Sequence, residues 1–262
     1  MTSSLGTALI TGASSGIGAT YADRLARRGY DLVLVARDAA RMEVIAAKLR
    51  REVGVAIDVT PADLTEAQDL ARVEARLRDD KAIGLLVNNA GAAAPGGFAE
   101  PDLDVLEKLI RLNVTAVTRL AGAVVPRFLT KQSGSIINIA SVLALAPEIS
   151  FGIYGATKAF VLMLSQSMQT EIGSRGVYVQ AVLPAATRTE IWQRSGRDVD
   201  SIPGVMEVGE LVDAALVGFD KREAITIPPL PDAAQWEAFS AARQAMLPNF
   251  RHEHAAARYR AA

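Results

Sequence analysis

Tyr154 and Lys158 stand four residues apart in the stretch SVLALAPEISFGIYGATK, which opens with Ser141. On a helix that spacing stacks the two side chains on one face, one turn apart. An ammonium beside a phenol favours the phenolate and draws the tyrosine pKa down from its usual ~10. A phenol tuned in this way can give or take a proton near neutral pH, which is the task of a general acid/base. The same spacing also arises by chance on amphipathic helices, so the rest of the chain has to decide.

Few other proton carriers are available. The 262 residues include no cysteine, and the two histidines, His252 and His254, both lie close to the C-terminus. Disulfides, thiolate nucleophiles and cysteine-ligated metals are thereby excluded, and a reducing compartment is compatible with the composition. A Ser-His-Asp hydrolase or a histidine metal site would have to be built from the tail, so no metal is expected. Proton chemistry falls to Tyr, Lys, Asp or Glu.

A net charge of −1 suggests neither nucleic acid nor an anionic membrane as partner. The opening MTSSLGTALITG has no basic stretch ahead of its apolar run and is not expected to be a signal peptide. The longest apolar region, roughly 135–164, is interrupted by Pro147, Glu148 and Lys158 and is not expected to span a membrane. The expected location is the cytoplasm.

The elements that must position the pair follow from the apolar pattern. Half of the residues are hydrophobic, enough for a sizeable core. Short β-branched runs predict strands over 7–11, 31–36, 55–59, 84–88, 135–140, 177–183 and 224–227. Helices are predicted between them: from the first Gly/Ser turn to Arg28, over 38–53 and over 65–79 with a Thr65–Gln68 capping box. Further helices are predicted over 101–131 with Asp102 as cap, over 152–173 and over 208–219. Near-continuous apolar strands alternating with helices mean an α/β fold with a mainly parallel sheet covered on both faces. No linker or repeat interrupts it, so residues 1–262 read as one domain. The segment 228–262 stands somewhat apart, with Trp236, Phe239 and Met246 at helical spacing to pack on the body or on another subunit.

The first strand runs into Gly12-Ala13-Ser14-Ser15-Gly16-Ile17-Gly18, where a helix begins. Glycines let a backbone turn tightly and approach a pyrophosphate, and the helix start offers free N–H groups and a partial positive charge. No Lys-Ser/Thr pair follows, so this is not a nucleoside-triphosphate loop.

TGASSGIG, the NNAG of Asn88–Gly91, Asn113, Ser141 and Tyr154-x-x-x-Lys158 together resemble the short-chain dehydrogenase/reductase family, in order and in spacing, from about Leu5 to Phe219. The narrower likeness is to its bacterial NADP-type oxidoreductases, and includes a PGGF segment after NNAG. The resemblance implies a single-domain Rossmann fold of about seven strands. It also implies a tetrad of Asn113, Ser141, Tyr154 and Lys158. Ser141 and Tyr154 would polarise a carbonyl oxygen, Tyr154 would move the proton, and Lys158 would tune Tyr154 and hold the nicotinamide ribose. Asn113 would hold a water linking Lys158 to solvent. Cofactor contacts are implied for Gly12, Ser14, Ser15, Gly16, Ile17, Gly18, Asp63, Leu64, Asn89, Ala90, Gly91, Tyr154, Lys158, Pro184, Thr187 and Thr189.

The second strand ends at Ala36, where NAD-selective members carry Asp, and Arg37 follows. A guanidinium there can pair with a 2′-phosphate, so NADP(H) is expected ahead of NAD. Asp38 is expected to cap the next helix. The family's Pro-Gly after the sixth strand is here Pro184-Ala185, which puts the local φ in question. Leu143–Gly152 and the loop 190–206, with Ile191, Trp192, Ile202, Pro203 and Met206, should face the substrate and favour an apolar one. The activity implied is interconversion of a ketone or aldehyde and an alcohol. A 3-oxoacyl-thioester reductase and a non-catalytic NADP(H) sensor are the alternatives, and a homodimer or homotetramer is the expected assembly.

Overall fold

Each predicted strand meets its neighbours in register, and all pairings are parallel. The computed structural model describes residues 5–93, 101–149, 152–196 and 198–260. In chain order these form β1 (Thr7–Thr11), α1 (Gly16–Arg27), β2 (Asp31–Ala36), α2 (Ala39–Val53), β3 (Ile57–Pro61), α3 (Ala67–Asp79) and β4 (Ile83–Asn88). Then come α4 (Leu103–Ile110), a π-helical segment (Arg111–Ala116), α5 (Val117–Lys131), β5 (Gly134–Ile139), α6 (Ile153–Ile172) and β6 (Val177–Val182). The short α7 (Ile191–Arg194), α8 (Val208–Asp220), β7 (Ile225–Thr226) and α9 (Ala233–Ala245) complete the order. The PGGF segment, and Ser150 and Phe151 of the Leu143–Gly152 stretch, lie outside the described residues.

The sheet order is β3-β2-β1-β4-β5-β6-β7. The chain winds outward from β1 in one direction and from β4 in the other. A crevice therefore opens beyond the carboxyl ends of β1 and β4, where such sheets bind their ligands. Both faces are buried, as alternate residues show. Ile10, Leu34, Val87 and Ile137 pack with Tyr21, Leu25, Met42 and Val212, from the α1, α2 and α8 side. Leu9, Val33, Leu86 and Ile136 pack with Leu70, Leu77, Leu120 and Phe128, from the α3 and α5 side. By length and composition the helix Leu103–Lys131 could cross a membrane; here its apolar stripe of Leu120, Val124 and Phe128 lies on the sheet.

Three local expectations need correction. β3 starts at Ile57 rather than residue 55, because the pairing with β2 begins at Leu32 and Asp31 accepts the Ala56 N–H at 2.8 Å. Pro61 can end this strand because β3 is at the edge of the sheet. No Thr65 capping box forms, and α3 starts at Ala67. Asp63 takes both the backbone N–H and the hydroxyl of Thr65, at 3.0 and 2.8 Å, so its own turn pre-empts the cap. The long helix 101–131 is not continuously α: it widens into the π segment around Asn113, while Asp102 caps it as expected, accepting from Asp104 and Val105.

Residues 1–228 form one compact unit and 229–262 a second. Within the second, α9 is capped by Asp232, and Trp236 stacks at 5.6 Å from Phe239.

Candidate active and cofactor site

The glycines of the β1–α1 turn are there because the turn has no room and the wrong handedness for side chains. Gly12 and Gly16 sit at φ +66° and +52°, where an L side chain is strained. A Cβ on Gly18 would lie 2.2 Å from the Gly12 carbonyl oxygen. Asn89 fixes the turn from the next strand, donating to the Thr11 and Gly12 carbonyls at 2.8 and 3.3 Å. The Thr11 hydroxyl accepts the N–H groups of Asn89 and Ala90, both at 3.0 Å. Ser15 is the N-cap of α1, whose first turn holds no acidic residue, so the positive end of the helix is left for an anion. Ile17 anchors this turn in the core. A tight, donor-rich turn at a helix start fits a dinucleotide diphosphate.

At the rim beyond β2, Arg37 stands mostly in solvent and pairs with Asp63 at 3.7 Å. Burial raises the Asp63 pKa, but hydrogen bonds from Thr65 and the nearby Arg37 outweigh it and hold the carboxyl below its usual value. Leu64 beside it is buried. Asp38 caps α2 as expected, accepting the Arg41 N–H at 3.0 Å. Two of the residues expected to face the adenosine half are thus in contact.

The chemical groups meet around the ends of β4 and β5. Ser141 follows β5; its hydroxyl donates to the Pro184 carbonyl at 3.3 Å and accepts from the Leu143 N–H at 3.2 Å. Tyr154 and Ser141 share a hydrogen bond. α6 comes close enough to the 142–145 turn that a Cβ on Gly155 would lie 3.3 Å from the Leu143 carbonyl oxygen. One turn along α6, the buried Lys158 ammonium sits 5.7 Å from the Tyr154 ring centre and donates to the Ile139 carbonyl at 2.7 Å.

The expected lowering of the Tyr154 pKa is not what the protein alone produces. Burial pushes the phenol up to about 12, against a smaller downward pull from its hydrogen bond with Ser141. Burial likewise pushes Lys158 down to about 8. In a dry site both charged forms lose hydration, and that outweighs a single cation–phenol contact.

Asn113 projects from the π segment. Its side chain accepts the Ala92 N–H at 3.0 Å and donates to the Ala92 carbonyl at 2.9 Å and to the Thr157 hydroxyl at 3.0 Å. Thr157 in turn donates to the Tyr154 carbonyl at 2.8 Å. Gly91 packs against both partners: a Cβ there would lie 3.3 Å from Asn113 Oδ1 and 3.5 Å from Lys158 Nζ. Asn113 from the π segment, Ser141 from the end of β5, and Tyr154 and Lys158 from α6 therefore come to one place.

After β6, Pro184 is buried and Ala185 has a negative φ, so the Ala that replaces the expected glycine is accommodated without left-handed strain. Thr187 is buried and donates to the Ala185 carbonyl at 3.0 Å. A Cβ on Gly16 would meet the Thr189 methyl at 3.1 Å, which lays this segment across the glycine turn. Trp192 is fixed by donating its indole N–H to the Thr187 carbonyl at 2.7 Å.

Two features escaped the sequence reading. Thr157 had no motif of its own. The other is a buried chain in which Asn88 donates to Asn138 at 3.0 Å, and Asn138 to Ser165 at 2.9 Å, tying β4, β5 and α6 together beneath the site. Polar residues inside apolar strands were the available signal, since they persist only when paired.

Residues 6–200 match the family model described as short chain dehydrogenase. A solved short-chain dehydrogenase from Sphingobium yanoikuyae in complex with NADPH is 61% identical, with a TM-score of 0.96, over 97% of this chain and 100% of that one. A bulky-bulky ketone specific alcohol dehydrogenase from Comamonas testosteroni is 56% identical, with a TM-score of 0.91, over 97% of this chain and 98% of that one. Among curated proteins, the very-long-chain 3-oxoacyl-CoA reductase of Anas platyrhynchos is 35% identical over 189 residues, 70% of this chain. The chain matches only about 60% of the length of that relative.

Proposed function

Because the chain belongs to the short-chain dehydrogenase family, we propose that it is an NADP(H)-dependent oxidoreductase that interconverts ketones and secondary alcohols, and that its substrates carry apolar groups on both sides of the carbonyl. The observation that carries this reading is the meeting of Ser141, Tyr154, Lys158 and Asn113 at the inner end of the crevice, beside a glycine turn suited to a diphosphate. Its likeness to an NADPH-bound dehydrogenase and to an alcohol dehydrogenase specific for bulky-bulky ketones supports the cofactor and the substrate class.

NADP(H), when bound, supplies or takes up the hydride. Gly12, Ser14, Ser15, Gly16, Ile17 and Gly18 would hold its diphosphate, Arg37 its 2′-phosphate, and Asp63 and Leu64 the adenine. Asn89, Ala90, Gly91, Pro184, Thr187 and Thr189 would line the rest of its path. The protein's own work is to place a carbonyl oxygen against two hydroxyls and to move one proton. Ser141, held by the Leu143 N–H, would turn its one hydroxyl hydrogen from the Pro184 carbonyl to that oxygen as negative charge develops. Tyr154 gives its proton in reduction and, as phenolate, takes the alcohol proton in oxidation. A phenol at about 12 is protonated at pH 7, so it is ready as the acid. Lys158 stays largely charged below pH 8 and stabilises the phenolate once it forms. Asn113 holds the Ala92 backbone and Thr157 in place at the inner end of this proton path, where a water would lead to solvent.

Ile191, Trp192, Ile202 and Met206 are half-buried, while Pro203 is exposed; the four half-buried side chains would supply the apolar walls. A dimer or tetramer remains our expectation for the assembly, and the cytoplasm for its location. The test is NADPH oxidation against ketones, aldehydes and 3-oxoacyl thioesters. We expect ketones with bulky apolar groups on both sides to have the highest kcat/KM. Thioesters turned over faster would favour the reductase activity named for the curated relatives, and no turnover of any class would sink the enzyme reading.

A further inference from the structure

Arg41 lies on the first turn of α2, four residues beyond Arg37, and Glu190 lies directly after Thr189 in the segment that follows β6. The Arg41 guanidinium holds both Glu190 oxygens, at 2.8 and 2.9 Å, across 149 residues of sequence. In the sheet order, β2 and β6 are separated by β1, β4 and β5. The pair therefore ties the two flanks of the crevice together over the turn meant for the diphosphate. Thr189 rests on Gly16 beneath it. On its far side the same segment is anchored by Arg188, which donates to Asp200 and Glu207 at 2.6 and 2.9 Å, and by a backbone bridge between Thr187 and Met206.

We propose that Arg41 is a second recognition residue for the 2′-phosphate of NADP(H), and that the phosphate takes it from Glu190, so that cofactor binding unties the substrate-facing segment from α2. This rests on the NADP(H) reading above. Three physical points favour the exchange. Arg41 and Glu190 are both well exposed, about 51% and 39%, and exposed pairs of this kind are weak and easily traded. A phosphate near neutral pH carries more charge than a carboxylate and offers three acceptor oxygens, so it wins a shared guanidinium. Arg37 already stands where a 2′-phosphate would be met, with only a loose 3.7 Å partner, and Arg41 rises one helical turn further on. Charge is conserved in the exchange: Glu190 gives up the Arg41 guanidinium and the phosphate gains it.

The test is equilibrium binding of NADPH and of NADH, followed by nicotinamide fluorescence, to the full chain and to Arg41→Gln, Glu190→Gln and the double variant. Glutamine is a good helix former, and the Asp38 cap uses the Arg41 backbone, so α2 should be undisturbed. Arg41→Gln should weaken NADPH about tenfold and NADH less than twofold, the scale of one charge-assisted contact. Glu190→Gln should tighten NADPH about threefold and leave NADH unchanged, and the double variant should match Arg41→Gln alone. Equal losses for NADPH and NADH in Arg41→Gln would make the pair a structural tie and overturn the proposal. Weaker NADPH binding in Glu190→Gln would overturn it too, because Glu190 would not be a competitor. A parent chain that does not prefer NADPH would fail the cofactor reading itself, and the proposal with it.

Discussion

The two ends of the crevice are built on opposite electrostatic plans. At the inner end, Lys158, Asn113, Thr157 and Ser141 are each no more than 6% exposed, and their hydrogen bonds run to backbone and to each other. At the outer rim, Arg37, Arg41, Asp63 and Glu190 form ion pairs in partial contact with water. Buried polar groups are costly to leave unpaired, so the inner end is rigid and its protonation is shifted by burial. Exposed pairs are cheap to break, so the rim can exchange partners and tune selectivity without endangering the fold. On the proposed assignment, chemistry and cofactor choice are thereby separated.

The contrast breaks first at the proton donor. Tyr154→Phe should lower NADPH-coupled turnover by roughly 10²–10⁴-fold while leaving the NADPH dissociation constant within about twofold. Comparable turnover in the variant would remove Tyr154 as the acid/base.

A second test uses the burial of Lys158. Its folded pKa, near 8, lies below the unfolded value of 10.5. Between these values the unfolded chain binds more protons, so this group makes stability rise with pH from about 8 to 10.5. Below pH 8 the charged lysine carries its full burial penalty. Lys158→Met should therefore raise unfolding free energy by roughly 2 kcal/mol at pH 7, with the gain shrinking as the pH approaches 10. Urea titrations at the two pH values measure this, and a loss of stability at pH 7 would mean that the bond to Ile139 outweighs burial. The variant should be catalytically poor even as it is more stable.

Thr157 sharpens the comparison further, because its hydroxyl joins Asn113 to α6. Thr157→Val strands a buried amide hydrogen and should cost about 1–3 kcal/mol of stability. Thr157→Ser keeps the hydroxyl and should recover most of it. Equal losses in the two variants would point to the methyl group's packing instead.

The smallest effect belongs to the rim. Arg37→Ala should narrow the preference for NADPH over NADH about fivefold, roughly 1 kcal/mol, and leave thermal stability unchanged. A preference unaltered by the substitution would shift 2′-phosphate recognition elsewhere on the rim.

Much of this was legible in the chain. Strand positions came from β-branched runs, and helix ends at Gly29, Gly54 and Asp102 from residues whose backbone or side chain suits only those places. Where the reading slipped, two local signals competed. Thr65 looked like a cap, but Asp63 reached its N–H first. The π segment at Asn113 has no periodic signature, since one extra residue in a turn changes neither composition nor hydropathy.

The sequence by itself determined the alternation of elements, the glycine turn and the one-turn spacing of Tyr154 and Lys158, because these depend on neighbours within a few residues. The tertiary structure alone decided their electrostatics. Whether Lys158 lowers a phenol or merely shares its dry surroundings depends on solvent exclusion by β4, β5 and α6, which meet only once the sheet has formed. It also decided that Arg41 finds Glu190 across 149 residues, since no local pattern encodes which flanks of a crevice will face each other.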